Sequence, residues 1–176
     1  MSSLRLINET SFTAVSNVNI EDVFTNDFNI YKLSLNVTNA SGGGVSIEHR
    51  LINSSGDVVK ANDYDFASRK VDASSTYSNA DSTTDANDIR GLGQIGSDAH
   101  NSAHAIAYYF NPFSSSRYTF ATIQSSYFGD ASPDRYFGYF GMAVLKQQAS
   151  ITGIHIFSTS PTITGTARVY GLRVDS

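Results

Sequence analysis

The chain has 176 residues, no cysteine and a formal net charge of −4, with 40% of its residues apolar. That length is one ordinary domain, large enough to bury about 70% of the surface its unfolded chain would expose. The missing cysteine excludes disulfides, thiolate metal sites and thiol nucleophiles. Scattered arginines on an acidic chain form no basic stripe, which argues against nucleic acid as a partner. There is no run of about 18 apolar residues to cross a bilayer as a helix.

Ser, Thr and Asn number 26, 14 and 13, whereas Glu and Lys together number only 7. Surface helices are normally written in Ala, Leu, Glu, Lys, Gln and Arg, whose side chains lose little rotamer freedom there. The composition therefore predicts an all-β protein with many loops. Residues Met1 to Glu9 lack the apolar centre of a secretion signal, so the expectation is a chain made in the cytoplasm and used as written.

Alternation of apolar and polar residues appears first at Asn29 to Asn39, where Tyr31, Leu33, Leu35 and Val37 share one face. After Ser41-Gly42-Gly43-Gly44 it resumes with Val45, Ile47, His49 and Leu51, which predicts the returning strand of a hairpin. Asn53-Ser54-Ser55-Gly56-Asp57 reads as a turn in which Gly56 supplies a positive φ. From about Asp57 to His104 apolar residues thin out. This reads as a long polar excursion with short strands, anchored by Tyr64 and Phe66 and pinned to the core by Ile89, Leu92 and Ile95.

Strands resume at Ala105 to Phe110 and Arg117 to Ser126, then at Asp134 to Gln147, where glycines among aromatics predict a bulge. Ile151 to Ser158 and Thr162 to Val174 close the chain, with Arg168, Tyr170, Leu172 and Val174 on one face of the last. Eight to ten strands with frequent turns predict a single antiparallel β-sandwich over residues 1–176, most simply a jelly roll.

Several motifs lose to plainer readings. Gly91-Leu92-Gly93-Gln94-Ile95-Gly96 matches a dinucleotide fingerprint but follows loop chemistry and precedes no amphipathic helix. His100 and His104 lack a third ligand nearby, and His49, on the inward face, reads as a hydrogen-bonded core residue. Asp57, Asp63, Asp65, Asp72, Asp81, Asp85 and Asp88 suit either a calcium loop or Asx-turns, and match no EF-hand spacing. There is no G-x-S-x-G elbow, and the three Glu, at 9, 21 and 48, supply no evident carboxylate pair. The expectation is no catalytic, metal or cofactor site.

The aromatics carry more. Tyr127-Phe128 and Tyr136-Phe137-Gly138-Tyr139-Phe140-Gly141 place rings at consecutive positions, so neighbouring rings point to opposite faces of a strand. One set fills the core and the other faces outward to a partner. Tyr127, Phe128, Tyr136, Phe137, Tyr139 and Phe140 are thus the candidate contact residues, with a subunit preferred to a glycan and Tyr139 taken as a partner-facing ring.

The run Val18-Asn19-Ile20-Glu21-Asp22-Val23-Phe24, followed by Phe28-Asn29-Ile30-Tyr31-Lys32-Leu33, resembles the opening of jelly-roll structural proteins of tailed bacteriophages, particularly marine and cyanobacterial ones. Arg50-Leu51-Ile52-Asn53-Ser54-Ser55-Gly56, Tyr109-Phe110-Asn111-Pro112-Phe113, Ile151-Thr152-Gly153-Ile154-His155-Ile156 and Thr164-Gly165-Thr166-Ala167-Arg168-Val169-Tyr170-Gly171-Leu172 are similar too. The resemblance implies a non-enzymatic virion protein, a capsid decoration or cement subunit or a tail-appendage subunit, located in the virion. Its implied partners are other virion proteins and further copies of itself, a trimer among the implied assemblies. The alternative it leaves is a receptor- or carbohydrate-binding module of a tail fibre. It offers no catalytic residues, and residues 60–102 match least.

Overall fold

The computed structural model describes residues 3–40, 45–73, 81–96, 101–129, 135–159 and 162–173. Among them lie twelve strands: β1 (Ser3–Val15), β2 (Asn17–Ile20), β3 (Ile30–Ala40), β4 (Val45–Asn53), β5 (Tyr64–Asp72), β6 (Ser82–Ala86), β7 (Gln94–Ile95), β8 (Ala103–Phe110), β9 (Thr119–Gly129), β10 (Arg135–Leu145), β11 (Ile151–Ser158) and β12 (Ile163–Arg173). No helix occurs among the described residues.

The protein is an all-β sandwich of two antiparallel sheets. One has eight strands in the order β1, β12, β3, β8, β9, β10, β5, β6, and the other has four in the order β2, β11, β4, β7. The pairs β1 with β12, β2 with β11, β3 with β8 and β4 with β7 are nested one inside the next. A long antiparallel ribbon rolled so that its pairs alternate between two sheets gives this order, which is the jelly roll. Two insertions depart from the minimal roll. β5 and β6 follow β4, β9 and β10 follow β8, and all four extend the larger sheet past β8.

Three expectations are corrected. β3 and β4 are not a hairpin: β3 pairs with β12 and β8, while β4 pairs with β11 and β7 in the opposite sheet. Both strands alternate with period two whether their neighbour lies beside or across the core, so local pattern cannot separate the two arrangements. The connecting glycines, residues 41–44, lie outside the described residues. β10 carries no bulge, pairing in unbroken register with β9 and β5 because its glycines occupy ordinary ladder positions. The strand total exceeds the expected eight to ten, with β5, β6 and β7 the strands that the excursion was expected to hold.

The core is the layer between the sheets. Tyr31, Leu33, Leu35 and Val37 of β3 face Val45, Ile47 and Leu51 of β4 and Ile154 and Ile156 of β11, all buried. Tyr64 stitches the extension to the smaller sheet, its hydroxyl accepting the Leu51 N–H at 3.0 Å and donating to the Val59 carbonyl at 3.1 Å. The turn before Val59 needs a left-handed residue, and Gly56 supplies it at φ 84°. Beyond β6 the chain runs beside β4 as an irregular edge, with Ile89 and His49 exchanging both backbone hydrogen bonds at 2.9 Å and Gly93 accepting from Ile47 at 2.9 Å. Ile89, Leu92 and Ile95 are buried there.

His49 lies wholly inside, its ring edge-on to Tyr109 at 5.9 Å between centroids. Contrary to the sequence expectation, no hydrogen bond of standard geometry reaches either ring nitrogen. Burial therefore dominates and drives its pKa from 6.5 down to about 3, against a smaller opposing effect of the Ile89 backbone. Between those values the unfolded chain binds the proton and the folded one does not, so stability falls as pH falls. Glu48, raised by burial, titrates in the opposite sense.

Two outcomes follow for the fold. Leu35→Ala should cost about 2 to 5 kcal/mol, read from urea midpoints, and a negligible shift would overturn the inward register of β3. Denaturant midpoints should drop from pH 6.5 toward pH 3, with His49 contributing up to about 5 kcal/mol, and His49→Leu should flatten that slope.

Candidate functional site

The extension carries β8, β9, β10 and β5 side by side in the larger sheet, and among the described residues no second layer lies over its outer side. Side chains of β8, β9, β10 and β5 alternate inward and outward, and the antiparallel register aligns the outward ones in cross-strand rows. Phe110, Phe120 and Val144 form one row, Tyr108, Thr122, Met142 and Ala67 the next, and Ile106, Gln124, Phe140 and Arg69 the third. A single outward face thus carries four strands' worth of apolar groups. Phe120, Phe140 and Met142 are 53%, 51% and 65% exposed.

This face is rugged. A trough of about 770 Å³ opens along the first two rows between Phe110, Phe120, Met142 and Val144, bounded at the β6 edge by Ser82 and Thr84. Shallower hollows of about 240 and 410 Å³ flank Phe140, the first beside Tyr108 and the second beside His104 and Arg168. Phe140 and Met142 are the ridges between them.

The six candidate rings divide between the two faces. Tyr136 and Phe140 are exposed and Phe128 is half-buried opposite Tyr136 on the outer face. Tyr127, Phe137 and Tyr139 are buried on the inner face. Tyr127 and Phe137 stack at 5.3 Å between centroids, with the Lys70 ammonium 3.9 Å from the centre of Phe137. Tyr139, expected to face a partner, is only 8% exposed, which corrects that assignment. It packs on Gly91, where a Cβ would drive into the ring. Gly91 adopts φ 103°, so only glycine satisfies both the backbone and the ring.

The excursion's charges are engaged in structure. Lys146 bridges Asp65 at 2.8 Å and Asp85 at 2.6 Å, and Gln147 donates to Asp63 at 2.7 Å. Hydrogen bonds from Lys146 and the Asp85 backbone hold the Asp65 carboxyl below its usual range. No group of three His, Cys, Asp or Glu suited to a metal ion occurs among the described residues. His104 is exposed on β8, and His100 lies outside the described residues. The glycine-rich stretch after Arg90 is a loop leading to β7, and no helix to receive a phosphate occurs among the described residues.

A smaller polar cleft of about 190 Å³ lies on the inner side, between Glu48, Lys70, Asp81, Arg90 and Tyr139. Arg90 donates to Asp81 at 2.9 Å and stands 3.7 Å from both Glu48 and Asp88. Burial, then the nearby Asp88 charge, raises the Glu48 pKa. Asp81 in turn raises that of Arg90.

The apolar trough escaped the sequence reading, which followed consecutive aromatics. The signal was nevertheless present in Ala105 to Phe110, an apolar run on both strand faces, the mark of a strand buried on both sides. Here one of those sides is open.

No family model and no curated protein matches the chain. Among solved structures, it aligns with infectious bursal disease virus of the Gt strain at 10% identity, covering 98% of this chain and 41% of that one, TM-score 0.16. The VP2 subviral particle of the same virus aligns at 11% identity over 99% of this chain and 41% of that one, TM-score 0.15. The chain spans about two fifths of those chains, and overlap this low carries no argument about function.

The two ring sets should separate in mutagenesis. Tyr139→Ala should cost about 3 to 5 kcal/mol of unfolding free energy, as for a buried aromatic. Phe140→Ser should change it by about 0.5 kcal/mol or less under conditions where the protein is monomeric. Equal losses would show that the outer face is core.

Proposed function

We propose that this chain is a non-enzymatic structural subunit of a virus particle, attached through the outer face of β8, β9, β10 and β5. The observation that carries the reading is the wide apolar face left open on a jelly roll that is otherwise closed over its core. A contiguous exposed apolar surface on a stable domain marks a contact surface. The resemblance of the chain's opening, middle and closing motifs to tailed-bacteriophage jelly-roll proteins gives the kind of particle, with a capsid decoration or cement subunit preferred and a tail-appendage subunit next. In this role the mechanism is cohesion by buried area, and nothing needs to be turned over. The role also suits a chain without cysteine, because stability comes from the aromatic core and from neighbours. Residues 1–176 act in this reading as a single domain, with Phe128, Tyr136 and Phe140 the members of the six candidate rings that meet a neighbour.

A second reading, a carbohydrate-binding module, is favoured by the polar cleft around Glu48, Asp81 and Arg90, whose mixed charges suit hydroxyl groups. One experiment weighs both. Particles assembled without this protein should take up purified protein to a fixed stoichiometry, and Phe140→Asp should abolish uptake. If particles stay unlabelled while the protein binds host glycans and Asp81→Asn removes that binding, the structural reading falls and the second stands.

A further inference from the structure

We infer that the outer face of β8, β9, β10 and β5 packs against the same face of a second copy of this chain. The inference deepens the reading above by naming one partner, and rests on it only in taking this face as the contact surface.

Area is the first argument. Phe120, Tyr136, Phe140 and Met142 are each half or more exposed, and at about 200 Å² per large side chain they leave roughly 400 Å² open. That is about half of the roughly 800 Å² each partner contributes to a stable interface. Half-buried Ile106, Tyr108, Phe110, Phe128 and Val144, on the same face, lie around them to supply the remainder.

Shape is the second. A contact between identical surfaces must carry projections and matching hollows in one patch. Phe140 and Met142 project beside the trough and beside the hollows next to Tyr108 and His104, so each copy offers both halves of the fit. Two sheet faces packed in this way stand about 10 Å apart, the spacing at which side chains interdigitate.

Charge is the third. Two copies of a chain with net charge −4 repel one another weakly through solvent, and a contact without like charges adds no close-range repulsion to that. From Phe110 to Val144, from Tyr108 to Ala67 and from Ile106 to Phe140, the rows contain no ionisable acid or base apart from the Tyr108 phenol. Asp65, at the end of the first row, is tied to Lys146, and Arg69 lies at the end of the third. Charge is thus confined to the margin, at Arg69 and at Arg168 beside the outermost hollow, and the apolar centre of two identical faces meets without opposed charges.

Leu4 and Leu6 of the edge strand β1 are also exposed, at the far end of the same rows, beyond Leu172 and Ile30 and beyond Tyr170 and Lys32. The register of β1 breaks between Leu6 and Asn8 and again between Phe12 and Val15, and Ala14 takes φ 51°. Bulges of this kind spoil an edge as a template for strand pairing.

Sedimentation equilibrium or light scattering on the full chain, from about 1 to 100 μM, tests the inference. The mass should be twice that of the 19.0 kDa chain. Phe140→Asp and Met142→Asp should each weaken association about 30-fold or more, the effect of losing a hot-spot side chain. Gln124→Arg, an already exposed polar position at the centre of the face, should do likewise and guards against a folding defect. Far-ultraviolet circular dichroism should match the parent for all three, and Leu4→Lys on β1 should leave the mass unchanged. A monomeric parent at 100 μM would overturn the inference, as would an assembly that survives Gln124→Arg and Phe140→Asp, or one that Leu4→Lys dissolves equally. Particle uptake is measured separately: a parent that stays monomeric at 100 μM and is still taken up by particles would overturn this inference and leave the reading above standing.

Discussion

Eight strands in one sheet face only four in the other, and much of the molecule follows from that inequality. A sheet buries apolar side chains only where another layer covers it, so the strands added beyond β8 need a cover of their own on the inner side. The chain provides it from the excursion. The segment through Ile89 and Gly93 runs along β4, and Gly91 makes room for Tyr139. Arg50 and Arg90 neutralise the carboxylates that the same segment brings inward, with Arg50 3.8 Å from Asp88 and 4.2 Å from the ring centre of Phe157. Among the described residues the outer side receives no such cover, and Phe110, Phe120, Phe140 and Met142 remain there.

The same inequality connects stability to function. Without disulfides, the fold depends on one continuous apolar layer that includes a fully buried imidazole and the phenols of Tyr31, Tyr64 and Tyr109. Tyr31 turns its hydroxyl back to the Thr25 backbone, and Tyr64 joins the two sheets. Such a core tolerates neutral solution well and acid less well, because His49 gains a proton only by unfolding. The outer face adds no stability to the isolated chain. Its area becomes stabilising when another surface covers it, which is how a subunit of an assembly couples folding to neighbours.

Much of this was legible residue by residue. The alternation in Tyr31 to Val37 and Val45 to Leu51 located two strands and their buried faces, Tyr64 and Phe66 marked the anchored strand of the excursion, and Gly56 marked a positive-φ turn. Consecutive rings at Tyr136 to Phe140 showed that one set must leave the core. What local pattern could not supply was direction. Period two states that Tyr139 and Phe140 oppose each other and is silent on which is inside. The choice falls to Gly91, some fifty residues earlier, which opens the space that Tyr139 fills. The trough was missed for the same reason, since Phe110, Phe120, Met142 and Val144 come from three strands that meet only through β-sheet register.

By itself, the sequence determined the class of the protein: strands and loops rather than helices, no thiol chemistry, a domain-sized core, and more aromatic rings than one face of each strand can bury. These follow from composition and periodicity, which are properties of neighbours along the chain. Only the tertiary structure decided that β3 and β4 lie in opposite sheets, that the inserted strands all extend one sheet, and that their register gathers apolar side chains on its outer face. Strand partners separated by 155 residues, as Ser11 and Thr166 are, leave no local mark on either segment, so pairing and coverage are settled by closure of the whole sandwich.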